Sequence, residues 1–127
     1  MVQARALRVP VLHHCWYKTT CKYEGESDPS DMAHLAARFP DVPIIVAHLS
    51  AAGCRGVQDI RTHPNLCIDT SGSQCFAGIV EYALAELGPE RILFGSDIPG
   101  RDFAVQLGRI LGADMDAEAR ALILQNN

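Results

Sequence analysis

The chain has 127 residues, 48% of them hydrophobic and 20% charged, which suits one soluble globular domain spanning 1–127. Its 15 acidic and 11 basic residues leave a formal charge of −4, so neither nucleic acid nor an anionic membrane surface is an expected partner. No apolar run is long enough to span a bilayer, and residues 1–8 lack the apolar stretch of a secretory signal, so the expected address is cytoplasmic.

Read in chain order, strands and helices alternate. Val9-Pro10-Val11-Leu12-His13-His14 is a short apolar run ending in polar groups, a strand with Pro10 near its start, where a missing N–H is tolerated. Residues 18–27 are polar and read as a functional loop. Asp28-Pro29-Ser30-Asp31 is a helix start: Asp28 can cap, Pro29 fits the first turn, and Asp31 favours the positive helix end. A helix over 32–39 places Met32, Leu35, Ala36 and Phe39 on one face. Ile44-Ile45-Val46-Ala47-His48 is the strongest strand, a continuous apolar run suited to a parallel strand buried on both faces.

The alternation continues with a helix over 56–62, a strand over 66–70, a helix over 76–87 ended by Gly88-Pro89, and a strand over 91–97. Asp102 can cap a helix over 103–111, and Asp116 a last helix to the terminus. Four strand–helix units with short connections imply an α/β fold with a parallel sheet and right-handed crossovers. They amount to half of an eight-unit barrel. The five cysteines, at 15, 21, 54, 67 and 75, include no C-x-x-C pair and read as reduced, mostly buried thiols. Cys67 falls in an apolar strand, and Cys75 opens the helix over 76–87.

Three of the four strands end in side chains that bind metal or move protons: His13 and His14, His48, and Asp97. In parallel α/β folds the C-terminal strand ends carry the site. Imidazole and carboxylate suit a divalent ion, whose bound water ionises near neutral pH, and a neighbouring His or Asp can shuttle the proton. Each residue also has a plainer reading. A lone His at a strand end can be a hydrogen-bonded core or loop residue, Asp97 can cap its own turn, and Asp69 before Thr70-Ser71-Gly72 fits a turn cap equally well. His34 and His63 read as structural or solvated.

The segments Pro10-Val11-Leu12-His13-His14-Cys15-Trp16, Ile44-Ile45-Val46-Ala47-His48 and Ile92-Leu93-Phe94-Gly95-Ser96-Asp97-Ile98-Pro99 resemble strands five, six and eight of amidohydrolase-related (predicted metal-dependent hydrolase) TIM barrels. The subgroup with carboxymuconate-semialdehyde decarboxylases is the most similar. The resemblance implies a (β/α) half-barrel whose four units are equivalent to strands 5–8. It implies His14 and Asp97 as ligands of a divalent metal, Zn or Mn, with Asp97 also a proton shuttle and His48 either binding a second metal or acting in acid–base catalysis. His14 is favoured over His13 because the family usually carries an aliphatic residue at the latter position, and pleat alternation puts the two on opposite faces. Trp16 and the 18–27 loop would border a pocket for a small-molecule substrate, a carbonyl or carboxylate compound, to be hydrolysed or decarboxylated.

The family's first strand carries an H-x-H ligand pair, which this sequence lacks; strands one to four have no counterpart, and the chain stops where the last helix of the family continues. The expectation is therefore weak metal binding by this chain alone. Four parallel strands would leave open edges and an uncovered apolar face, so a homo-oligomer is expected to cover them. The competing readings are a shortened chain and a non-catalytic half-barrel remnant acting as an oligomerising module. A flavodoxin-like binding domain is disfavoured, because no glycine-rich phosphate loop follows the first strand.

Overall fold

Four short apolar stretches assemble one parallel sheet in the computed structural model, whose described residues are 1–18, 21–74 and 76–127. The strands β1 (Val11–His14), β2 (Ile44–Ala47), β3 (Leu66–Asp69) and β4 (Ile92–Leu93) lie side by side in chain order. All three pairings are parallel. Helices α2 (Pro29–Arg38), α3 (Leu49–Ile60) and α4 (Ile79–Leu87) connect them, while α5 (Phe103–Leu111) and α6 (Ala117–Ala121) follow β4. A short α1 (Val2–Leu7) precedes β1. This is the expected half-barrel: consecutive strands are neighbours, as in the (β/α)8 architecture.

The pleat divides the sheet into two unlike faces. Ile44, Val46, Leu66, Ile68 and Ile92 are in register on one face and fully buried against α2, α3, α4 and α5. Each such side chain stabilises the fold by about 1.5–3 kcal/mol relative to exposure. On the other face Leu12 pairs with Ile45 and Ile45 with Cys67. Here Leu12 is 64% exposed, and Ile45, Cys67 and Leu93 are only half-buried. The inner wall of the half-barrel is thus open.

Local polar clips set the connections. Asp28 caps α2 as expected: its carboxylate accepts from the N–H of Ser30 (3.0 Å) and Asp31 (3.3 Å), and Asp31 accepts in return from the Asp28 N–H (2.9 Å). Asn65 closes the other end, donating to the carbonyls of Ala36, Phe39 and Val42. Arg91 donates to the carbonyls of Ile60, Arg61, His63 and Leu66, joining the end of α3 to the start of β3 and β4. Asp102 and Asp116 cap α5 and α6 as the sequence predicts.

Several elements differ from the sequence reading. α1 was not anticipated; it buries no residue and is tied down by Arg5, whose guanidinium meets Asp41 at 2.7 Å. α3 begins at Leu49 rather than 56, because Leu49–Ile60 continues through a kink at Gly53 (φ 61°, ψ −171°) that reads in sequence as a loop. α4 begins at Ile79 rather than 76, and the expected opening of that helix at Cys75 lies outside the described residues. β4 is two residues long, since Phe94 leaves the sheet and donates its N–H to the Ile123 carbonyl. Among the described residues the cysteines are free thiols; Cys21 and Cys54 are exposed, Cys67 is half-buried and Cys15 is buried outright, so for these four the expectation of mostly buried cysteines is corrected.

Candidate active-site cavity at the strand ends

The C-terminal ends of the four strands open onto a cavity of about 550 Å³ whose lining includes His14, His48, Asp69, Ser71, Phe94 and Asp97. Each comes from the last residue of a strand or from the loop after it. His14 projects from β1 on the inner face, beside exposed Leu12. His13 is absent from this lining, and its Nδ1 bonds the His14 carbonyl at 2.8 Å. The pleat therefore sends His14 alone of the two histidines into the main cavity. The ring centroids of His14 and His48 are 4.9 Å apart in an edge-on arrangement. Trp16 is 6.3 Å from His14 and 6.4 Å from His48. It lines an adjoining cavity of about 280 Å³ with His13, His14, Glu26 and Ser27, so both strand-end histidines border this smaller pocket and the end of the 18–27 loop stands next to them. Thr19 and Thr20 of that loop lie outside the described residues. His34 is exposed on α2, and neither it nor His63 reaches the main cavity.

His48 occupies a left-handed conformation (φ 74°, ψ 73°) at the start of α3, unusual for a residue with a side chain. Its carbonyl accepts from the N–H groups of Ala51 and Ala52, both at 2.9 Å. Its own N–H donates to Asp69 Oδ1 at 3.0 Å, and its ring Nδ1 lies 2.7 Å from Ser71 Oγ. Asp69 Oδ1 also accepts from the Ser71 N–H at 2.9 Å and from the Ser71 hydroxyl. Asp69, Thr70 and Ser71 are all buried. The Asp69 alternatives of the sequence resolve into a turn cap that also reaches across to β2. Asp69-Thr70-Ser71 carried the signal for the local turn; the bond to His48 depends on β2 and β3 being neighbours.

Asp97 is also left-handed (φ 57°) and precedes a cis Ile98–Pro99 bond. The Arg101 N–H bonds the Asp97 carbonyl at 2.9 Å, so the backbone rather than the carboxylate closes this turn. The carboxylate faces Arg101 Nε at 3.8 Å in a pair exposed to solvent on both sides, a contact of little energetic weight. Cys15, next to His14, is fully buried. Desolvation, then the nearby Asp28 and Asp31, pushes its thiol up to about 12, which makes it structural rather than nucleophilic.

A zinc ion holds its nitrogen and oxygen ligands at about 2.0–2.2 Å, so the donors to one ion crowd within a few ångströms of each other. Among the described residues no group of three His, Cys, Asp or Glu side chains is placed to hold an ion. His14, His48 and Asp97 share a cavity, yet these residues do not make a closed metal site within this chain.

Four parallel strands in chain order, with the histidines and aspartate at their C-terminal ends, define part of a TIM barrel. The amidohydrolase family model matches residues 3–127, and the chain belongs to that family. No curated protein matches it significantly. Among solved structures, it is similar to an uncharacterised TIM-barrel protein from Bordetella bronchiseptica (15% identity, TM-score 0.78, covering 99% of this chain and 46% of that one). An amidohydrolase from Burkholderia multivorans with bound zinc gives 14% identity and a TM-score of 0.71, with 98% and 52% of the chains covered. A dihydroxybenzoic acid decarboxylase from Polaromonas sp. JS666, with bound manganese and the inhibitor 2-nitroresorcinol, gives 17% identity, a TM-score of 0.67, and 96% and 49% coverage. The chain spans about half the length of each. Divalent metals thus occur among proteins of this fold. Among the described residues, no helix is long and apolar enough to cross a membrane.

Proposed function

We propose that this chain is the acid–base half of a metal-dependent, amidohydrolase-type hydrolase acting on a small carbonyl or carboxylate compound. The observation that carries this reading is the shared lining of one cavity of about 550 Å³ by His14, His48 and Asp97. That volume suits a small molecule. In this reading His48 takes a proton from the attacking water and gives it on to the leaving group, the Asp97 carboxylate accepts a hydrogen bond from that water and orients it, and Trp16 borders the pocket. His14 and Asp97 would contribute to holding zinc or manganese. The three donors do not complete a site here, so the remaining ligands would come from outside this chain.

The test is a hydrolysis assay of the purified full chain on small esters, lactones and amides, with zinc or manganese supplied and metal content measured in parallel. Turnover that falls about 100-fold or more in His48→Gln and in Asp97→Asn is the expected result, in line with the usual contribution of a general acid or base. Equal turnover in either variant would defeat the assigned role. Release of carbon dioxide from hydroxybenzoates instead would favour decarboxylation, the reading supported by likeness to a decarboxylase of the same fold.

The open inner wall, with Leu12 64% exposed, and the incomplete donor set favour a second reading. Here the chain is a non-catalytic module whose inner face is covered by another copy. A stable dimer by light scattering, with no turnover and no retained metal, would be its signature. A monomer with metal-dependent turnover would exclude it.

A further inference from the structure

We propose that Ser71, oriented by Asp69, is a positioning residue that locks the neutral His48 ring as its Nδ1–H tautomer. This leaves the opposite nitrogen, Nε2, as the unprotonated one. The argument is a count of protons. Asp69 as a carboxylate can only accept hydrogen bonds, and a serine hydroxyl has one proton to give. Asp69 Oδ1 receives that proton from Ser71 Oγ. Ser71 Oγ is then an acceptor toward His48 Nδ1, 2.7 Å away, so the proton in that contact must belong to the ring. The other tautomer would face two lone pairs at 2.7 Å. Nε2 accepts or donates no hydrogen bond among the described residues, while the His48 side chain lines the main cavity.

The surroundings hold this chain of bonds rigidly. Asp69 and Ser71 are 9% and 3% exposed. The same carboxylate oxygen that takes the Ser71 hydroxyl also takes the backbone N–H of His48 and of Ser71. One atom therefore fixes both the left-handed backbone of His48 and the direction of the Ser71 hydroxyl. Two glycines admit the close packing. A Cβ on Gly95 would meet Asp69 Cγ at 2.9 Å, and one on Gly72 would meet His48 Cβ at 3.2 Å. Preorganisation of this kind supports an imidazole that receives a proton, because no rearrangement precedes the transfer. The tautomer itself is independent of whether the chain turns over a substrate; only its catalytic consequence rests on the role proposed above for His48.

The test uses the full chain labelled with ¹⁵N-histidine, with chelator present and no substrate. Long-range proton–nitrogen correlation spectra report which ring nitrogen carries the proton, and the spectrum of His48→Gln identifies the His48 signals. The expected wild-type pattern is Nδ1–H. Ser71→Ala should lose that bias and show a mixture or the Nε2–H form, while Ser71→Thr, which keeps the hydroxyl, should restore it. An Nε2–H pattern in the wild type overturns the proposal outright, whether or not the alanine variant folds. An Nδ1–H pattern unchanged in a folded Ser71→Ala variant overturns the role of Ser71. Because no turnover is read, failure here is separable from failure of the enzymatic reading.

Discussion

Arg91 offers the most direct measurement of how a single side chain ties this half-barrel together. Its guanidinium donates to Leu66 O at 2.8 Å, to Ile60 O and Arg61 O at 2.9 Å, and to His63 O at 3.0 Å. Three of these bonds are half-buried and the one to Arg61 is exposed. Burial holds the guanidinium below the usual arginine pKa, a desolvation cost that works against the bonds. Hydrogen bonds to charged groups contribute about 1.5–3 kcal/mol each. Taking the low end for the three half-buried bonds and removing a third for desolvation puts Arg91→Met at about 3 kcal/mol of lost stability. In a domain of this size that lowers Tm by roughly 10 °C. Arg91→Lys keeps a cation but not the planar fork, and should cost about 1–2 kcal/mol. Urea denaturation with far-UV circular dichroism measures both. A methionine variant within about 0.5 kcal/mol of wild type would refute the reasoning, because it would mean that water replaces the four bonds at no net cost.

Asp28→Ala should remove about 1 kcal/mol by uncapping α2, measured by the same titration. Asp31 is held below the ordinary carboxylate pKa chiefly by the Lys22 ammonium and then by the Asp28 N–H. Its folded pKa lies below its unfolded one, so its stabilising share is present at neutral pH and is lost as pH falls through the folded value. Asp31→Asn should therefore flatten the decline in stability below about pH 4; an unaltered acid limb would contradict this. Alkylation of the native protein at pH 8, mapped by mass spectrometry, should label exposed Cys21 and Cys54 well before Cys15, whose thiol sits at about 12. Gly95→Ala should cost about 1–3 kcal/mol by overpacking against Asp69, with thermal melting as the readout and a wild-type Tm as the contrary result.

The legible parts of the fold were those whose signal is local. The apolar run 44–47 is the parallel strand its composition suggested, although its Ile45 face is half-buried on the open wall rather than covered, and the Asp28-Pro29 start and the Asp102 and Asp116 caps fall where side-chain chemistry puts them. The half-barrel and the His14, His48 and Asp97 positions followed from strand ends combined with the family pattern. What escaped was set by tertiary contacts. α1 buries nothing, so no hydrophobic period announces it, and its anchor Asp41 is distant in sequence. The first turn of α3 was obscured by Gly53, whose kink local propensity reads as a break. β4 is shorter than its sequence suggests: Ile92-Leu93-Phe94 is uniformly strand-like, whereas the pull on Phe94 comes from Ile123. The reach of Asp69 to the His48 backbone needs β2 and β3 side by side, and no spacing along the chain encodes it.

The unlike faces of the sheet have a consequence for engineering. Folding energy is concentrated in the helix-covered layer of Ile44, Val46, Leu66, Ile68 and Ile92, which tolerates little change. Leu12, Ile45 and Leu93 sit on the opposite wall, exposed or half-buried, yet they line the cavity. Randomising those three positions should reshape the chamber at small thermodynamic cost, so the scaffold is suited to directed evolution of its binding preference.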